Sequence, residues 1–221
     1  GLSRGTEVTA TGAPISVLPI YVPPPTETSD PVPPEFRNNF SVLAVSRLTG
    51  EKQLHLLIEA ISLLPSGDLI IVGDGPLRHH LQRQAGSLGV GDRVRFAGWR
   101  ENLAPYYMHA SAFASASRYE GYGLALAEAA LHALPIISTD AGIAGDMLLD
   151  EKHCLVVQPH PRAIAEAITK ISADRNLGRR LGSSARVIVE QSMMDNEAYL
   201  TRYREAMHTC LPADTGAMPH E

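Results

Sequence analysis

The stretch "FSVLAVSRLTGEKQLHLLIEAISLLPSGDLIIVG", residues 40–73, decides how this chain folds. It opens on a short apolar run rich in branched residues, "FSVLAVS" (40–46), which predicts a strand. "EKQLHLLIEAISLL" (51–64) follows with apolar positions at helical spacing, and "DLIIVG" (68–73) is strand-like again. Strands buried on both faces are continuously apolar rather than alternating, and "VLAV" and "LIIV" have that character. Strand, helix and strand in this order are the unit of a parallel sheet.

Toward the C-terminus the unit repeats. Helical segments are predicted at "PLRHHLQRQAGSL" (76–88), "ENLAPYYMHA" (101–110), "GLALAEAALHA" (123–133) and "RAIAEAITKIS" (162–172), with two more reaching about residue 208. Between them lie strand-like runs: "RVRFAG" (93–98), the weak "AFASAS" (112–117), "PIIST" (135–139) and "CLVVQ" (154–158). The alternation predicts an α/β domain, a doubly wound parallel sheet with helices on both faces. Ligands bind such sheets outside the carboxyl ends of the strands. Function should therefore be read in loops 46–52, 73–76, 98–101, 117–123 and 139–146.

The ends of the chain differ. "ISVLPIYVPPP" (15–25) predicts a strand running into the proline-rich, polar "TETSDPVPPEFRNN". Residues 1–38 are accordingly expected to be a linker and leading strand, partly flexible, with the domain at 39–208 and a disordered tail at 209–221. The opening "LSRGTEVTATG" reads as the middle of something longer, so a truncated chain is expected. No internal repeat is visible.

Composition narrows the function. A 221-residue chain with 44% hydrophobic and 19% charged residues can bury a real core. Its formal charge of −5 argues against a general nucleic-acid binder, which carries a basic face. Cys154 and Cys210, far apart and without metal-ligand spacing, fit unpaired thiols in a reducing compartment. With no apolar run of membrane-span length and no leading signal peptide, a cytoplasmic protein is expected. The histidines, among them His79, His80, His153 and His160, lack ligand spacing and are expected to be surface or partly packed residues.

The candidate chemistry lies in four loops. In "SRLTGEK", Arg47 closes a strand and Lys52 opens a helix. Together they can clamp a diphosphate, the arginine as a planar fork and the lysine as a point charge, or they are simply two solvated charges. In "VGDGPL", Gly73 marks a tight turn after its strand, and Pro76 suits a first helical position. The third glycine of a dinucleotide fingerprint is absent, Arg78 standing in its place, so an NAD enzyme is disfavoured. In "FAGWRENL", Trp99 and Arg100 follow a strand, where a nucleobase could lie; Trp99 reads equally well as a packing residue.

The fourth loop, "SRYEGYGLALAEAALHALPII" (117–137), is the most informative. Gly121 and Gly123 let backbone N–H groups approach a ligand closely, and a helix starting near Gly123 aims free N–H groups at the same spot. Glu120 can accept hydrogen bonds from vicinal hydroxyls, and Glu128, inside the helix, might reach a second diol such as a ribose. No Asp-x-Asp pair or histidine–carboxylate cluster suits a metal.

These residues carry a resemblance. "VSRLTGEK", "LIIVGDGPL", "VRFAGW", "SRYEGYGLALAEAALHALPIIST" and "AIAEAI", in that order, resemble the C-terminal donor-binding domain of retaining glycosyltransferases of family four. The likeness covers about residues 15–208. It implies a Rossmann-like sheet that forms one half of a two-domain B-type fold, the acceptor domain lying outside this chain. It implies that Arg47 and Lys52 bind the donor diphosphate and act with Glu120 in catalysis. Glu120 and the backbone of Gly121, Tyr122, Gly123 and Leu124 would hold the donor sugar, Glu128 the ribose, and Gly73, Trp99 and Arg100 would complete the nucleotide site.

The implied reaction is metal-independent transfer of a hexose, mannose among them, with retained anomeric configuration. The donor is a GDP-, UDP- or ADP-linked sugar and no separate cofactor is needed. The acceptor is a glycan or a lipid-linked sugar, membrane contact is at most peripheral, and the chain alone is expected to be inactive. The chain departs from the family pattern at Gln53 and Ala133, where glycine is usual, at Leu134, at Asp146, where glutamate is common, and at Cys154. A non-catalytic interaction module on the same fold, or a B-type epimerase or phosphorylase, is the alternative.

Overall fold

The computed structural model of the chain describes residues 7–8, 14–15, 21–24, 29–37, 39–193 and 196–210. It divides into two compact units, one comprising Gly1–Tyr21 with Ser192–Glu221 and the other Val22–Gln191. In the smaller unit, β1 (Glu7–Val8) pairs antiparallel with β2 (Pro14–Ile15). Helix α7 (Asn196–Cys210) belongs to the same unit and sets Tyr199 at 5.7 Å from Tyr21, ring centre to ring centre. Most of the strand expected over 15–25, and the tail expected beyond Cys210, lie outside the described residues.

The larger unit follows the alternating order. Its strands are β3 (Ser41–Val45), β4 (Asp68–Val72), β5 (Val94–Gly98), β6 (Ala112–Ser115), β7 (Ile136–Ser138) and β8 (Leu155–Val156). Its helices are α1 (Leu54–Ser62), α2 (Arg78–Ser87), α3 (Ala104–His109), α4 (Leu124–Leu131), α5 (Pro161–Ala173) and α6 (Arg175–Ser192). All six strands run parallel in the order β5-β4-β3-β6-β7-β8, so the fold is a doubly wound, Rossmann-like α/β sheet, consistent with one half of a B-type glycosyltransferase fold.

The chain builds outward from β3 to β5, then returns to the other side of β3 to start β6. The winding therefore reverses between β3 and β6, and the loops leaving those two strands diverge over a crevice. In open α/β sheets that reversal is where ligands bind.

Burial explains the strength of the sequence signal. All five residues of β4 are buried, and Leu69, Ile70 and Ile71 are wholly inaccessible. Each such side chain contributes about 1.5–3 kcal/mol relative to exposure. One sheet face presents Val42, Ala44, Leu69 and Ile71 to a cluster with Leu57, Ile58 and Ile61 of α1 and Ile164, Ile168 and Ile171 of α5. Phe113 alternates out of that cluster and meets Tyr107 of α3 at 6.1 Å between ring centres.

The polar stretch ahead of β3 is tied to the sheet where it is described. Glu35 O accepts from Arg95 Nη1 at 3.0 Å, Asp30 Oδ2 from Asn102 Nδ2 at 2.7 Å, and Phe36 packs on Tyr106 and His109. At the amino-terminal rim, Arg95 Nη1 lies 3.1 Å from Asp68 Oδ2, which also accepts from Asn39.

Candidate functional site

The loop after β3 is shaped by backbone contacts. Leu48 is fully buried; its N–H donates to Asp74 O at 2.9 Å and its carbonyl accepts from Leu77 at 3.1 Å. Those contacts dictate the glycines of "VGDG". A β-carbon on Gly73, at φ +130°, would lie 2.0 Å from Ser46 O, and one on Gly75 would lie 2.6 Å from Leu48 O. Gly73 thus has a packing reason to be glycine, independent of any ligand.

The loop then forms a short 3-10 turn, Gly50–Lys52, and enters α1 through Gln53 in the left-handed region (φ +46°, ψ +35°). This tight entry brings Lys52 to the crevice. Arg118 N–H donates to Glu51 O at 2.8 Å, which ties the loop after β3 to the loop after β6 across the winding reversal.

The two loops meet at an ion pair. Lys52 Nζ lies 2.6 Å from Glu120 Oε1, and neither side chain is more than a fifth exposed. Ser117 Oγ donates to the same carboxylate oxygen at 2.8 Å, and Thr139 Oγ1 donates to Ser117 O at 2.6 Å. A third loop, after β7, closes over the second. Ile143 N–H donates to Tyr122 O at 2.8 Å, and Gly142, at φ +63°, leaves no room for a β-carbon, which would lie 2.4 Å from that carbonyl.

Arg47 differs from Lys52. Its side chain is 80% exposed, and among the described residues its charged partner is Glu51 at 3.8 Å. Glu51 is itself engaged by the Thr49 hydroxyl at 2.6 Å, which holds its carboxyl below the usual glutamate range. Lys52 is held in place; Arg47 is an exposed cation at the rim, in a long contact with Glu51.

Helix α4 begins beneath Glu120. Gly123, its first cap residue, sits at φ +90°, and helical bonding starts only with the N–H of Leu126, which donates to Gly123 O. The amides of Leu124 and Ala125 precede that first bond and face the helix mouth, a ready anion site. Glu128, one turn inside, is partly buried and accepts from Tyr107 Oη at 2.7 Å through Oε2. Burial raises the Glu128 carboxyl above the ordinary range, and the Tyr107 hydroxyl pulls it part of the way back.

The loop after β5 holds the last candidates. Gly73 N–H donates to Gly98 O at 2.8 Å, so this loop is fastened to the one beside it. Trp99 is 70% exposed. Arg100 is committed: Nε donates to Tyr106 Oη at 2.9 Å, and Nη2 lies 3.1 Å from Glu35 Oε1. A base in this loop would meet the Trp99 ring before the Arg100 guanidinium.

Lys52 and Glu120 are thus in direct contact, with Gly121–Leu124 forming the helix mouth between Glu120 and Glu128. Sequence reasoning did not identify Ser117, Tyr107, Glu35 or Gly142: the first three hold Glu120, Glu128 and Arg100 through side-chain bonds, and Gly142 packs against the Tyr122 carbonyl. His153 and His160 have structural partners: Leu149 N–H donates to His153 Nδ1 at 3.1 Å, and Arg162 N–H to His160 Nδ1 at 3.2 Å. Among the described residues, no group of three or more His, Cys, Asp or Glu side chains could hold a metal ion.

Known proteins resemble this chain in sequence and fold. The family model of the glycosyl transferases group 1 matches residues 26–187. The lipopolysaccharide core biosynthesis glycosyltransferase LpsE of Rhizobium meliloti is 34% identical over 141 residues, 63% of this chain and 42% of that protein. The GDP-mannose-dependent α-(1-6)-phosphatidylinositol monomannoside mannosyltransferase of Mycolicibacterium smegmatis is 31% identical over 175 residues, 73% of this chain and 45% of that protein. Among solved structures, Anabaena HepE in complex with UDP and glucose superposes with a TM-score of 0.69 at 27% identity, over 78% of this chain and 48% of its own. The chain spans less than half the length of each of these three proteins.

Proposed function

The chain belongs to the group 1 glycosyl transferases, and on that premise we propose that it is the donor-binding half of a retaining, metal-independent hexosyltransferase. The observation that carries this reading is the Lys52–Glu120 pair at the winding reversal, beside the open amide mouth of α4. A nucleoside-diphosphate sugar offers matching chemistry: an anionic diphosphate, a diol on the ribose and a polyhydroxylated ring.

In this reading the diphosphate sits over the amides of Leu124 and Ala125, with Lys52 and the exposed arm of Arg47 as its cations. Glu120, held by Lys52 and Ser117, accepts from hydroxyls of the donor sugar. Glu128 accepts from the ribose diol, and Trp99 covers the base. As the glycosidic bond to the diphosphate breaks, charge grows on the leaving oxygen and Lys52 stabilises it; one such donor is worth about 10²–10³ in rate. The cationic charge is supplied by side chains, so no step calls for a metal. The acceptor, a glycan or a lipid-linked sugar, is bound by a second domain that completes the enzyme. In this reading the donor site lies within the larger unit, Val22–Gln191.

No helix among the described residues is long and apolar enough to cross a membrane. The test is a thermal-shift panel of UDP, GDP and ADP on this chain. A nucleotide at 100 times its dissociation constant should add about 2.7 kcal/mol of stability. No response to any of the three would favour an interaction module on the same fold.

A further inference from the structure

The crevice described above uses one side of Glu128; the other side is held by a residue with no assigned role. Tyr107 of α3 is 2% exposed, and its ring lies between two others. It stacks on His132 at 5.3 Å with 12° between planes, and meets Phe113 at 6.1 Å. His132 caps the C-terminus of α4 one turn beyond Glu128, so α3 presents a single tyrosine both to the neighbouring helix and to its cap. The ring cannot rotate away, and its hydroxyl has a fixed address on Glu128 Oε2 at 2.7 Å.

We propose that Tyr107 is a positioning residue for the nucleotide: its hydroxyl locks the Glu128 side chain in one rotamer and keeps it an acceptor for the ribose diol. The proposal rests on the donor-binding reading above. A glutamate has three rotatable bonds whose freedom would be lost on binding; Tyr107 imposes that order beforehand. Among the described residues no other donor reaches Glu128, so Oε1 remains for the ligand.

The hydroxyl also controls ionisation. Burial, and secondarily Glu128, hold the Tyr107 phenol well above its ordinary range, so it donates and does not compete for the proton. Burial raises Glu128 and the tyrosine opposes it. The other titratable groups at this place are His132, lowered by burial and then by Arg186 of α6, and Arg186 itself, paired with Glu190 at 2.7 Å. With the hydroxyl removed, Glu128 would take up a proton at a higher pH and lose the charge that makes it a strong acceptor for a diol.

Tyr107→Phe keeps both ring contacts and removes only the O–H. The experiment measures UDP and GDP affinity from pH 5 to 8.5 for the 221-residue chain, its Y107F and E128Q variants and the double variant. Carbon-detected NMR follows the Glu128 carboxyl in the nucleotide-free protein. The expected result for Y107F is affinity about tenfold weaker at the acidic end, the value of one hydrogen bond to a charged group, with recovery toward wild type at pH 8.5. The Glu128 titration should move upward, and in the E128Q background Y107F should add nothing. Affinity equal to wild type at every pH, or the same loss again in the E128Q background, would overturn the positioning role; an unmoved Glu128 midpoint would remove the hydroxyl's control of ionisation. If the wild-type chain binds no nucleotide while the Glu128 titration still moves, the donor-binding reading fails and takes the ligand role of Tyr107 with it.

Discussion

Lys52 and Glu120 belong to loops separated by three strands and three helices in the chain, yet their charged atoms lie 2.6 Å apart. The pair closes the crevice where the sheet reverses its winding. Each partner fixes the other, and Ser117 removes the remaining freedom of the carboxylate. The lysine keeps further N–H groups for an anion, and the glutamate keeps Oε2 for a hydroxyl.

That division of labour separates two variants. Lys52→Ala should weaken UDP binding about tenfold or more, the scale of a charged hydrogen bond. Glu120→Gln should leave UDP affinity nearly intact and reduce affinity for the complete sugar nucleotide. Calorimetric titration with UDP and UDP-glucose distinguishes them; equal losses in both ligands for both variants would contradict the assignment.

Trp99 is the only tryptophan of the chain and is 70% exposed at the same rim. Nucleotide binding should quench its fluorescence and shift its emission to shorter wavelength, and Trp99→Ala should weaken affinity by about 1–3 kcal/mol, the value of stacking one base on an aromatic ring. An emission spectrum unchanged at saturating nucleotide would remove the base from this loop.

Ala133 stands at φ +53° and Gln53 at φ +46°, both in the left-handed region that favours glycine. Ala133→Gly relieves roughly 1–2 kcal/mol of backbone strain against about 0.4–1 kcal/mol of added unfolded-state entropy. A net gain of about 0.5–1 kcal/mol is expected in urea unfolding, with the same sign for Gln53→Gly. A loss of stability in both would show that the side chains contribute more than the strain costs.

Cys154 is inaccessible, donates to Leu148 O at 3.1 Å, and is pushed by burial up to about 12 from an ordinary 9.0. The native state therefore holds this proton more tightly than the unfolded chain. Its contribution is complete below the ordinary value and is lost as pH rises from there toward the folded one. In a Cys210→Ser background, melting temperature should fall more steeply above pH 9 with Cys154 present than with Cys154→Ser; parallel curves would refute the linkage.

The sheet was legible because β3 and β4 are buried on both faces and so read as unbroken apolar runs. The pairing of Lys52 with Glu120 was foreshadowed by placing both at the carboxyl rim. What escaped was support from elsewhere. Tyr107 sits in "APYYMH", where two tyrosines read as ordinary helix packing, and only the α3–α4 contact shows which one faces Glu128. Glu35 lies in a proline-rich stretch that carries no periodicity, so its claim on Arg100 was invisible. Gly73 looked like part of a ligand loop, whereas the carbonyl of Ser46 dictates it. The departures at Gln53 and Ala133 could be noticed from sequence but acquire a meaning only with their dihedral angles.

The interlocked glycine turn has a consequence for how this scaffold can diversify. Val72, Gly73 and Asp74 bond through their main chain to Ser46 and Leu48 on one side and to Gly98 on the other. An insertion at 73–75 would break those bonds and displace the segments bearing Arg47 and Trp99 together. New donor preferences are therefore expected to arise by exchanging side chains around a constant rim, while length variation accumulates at the opposite end of the strands.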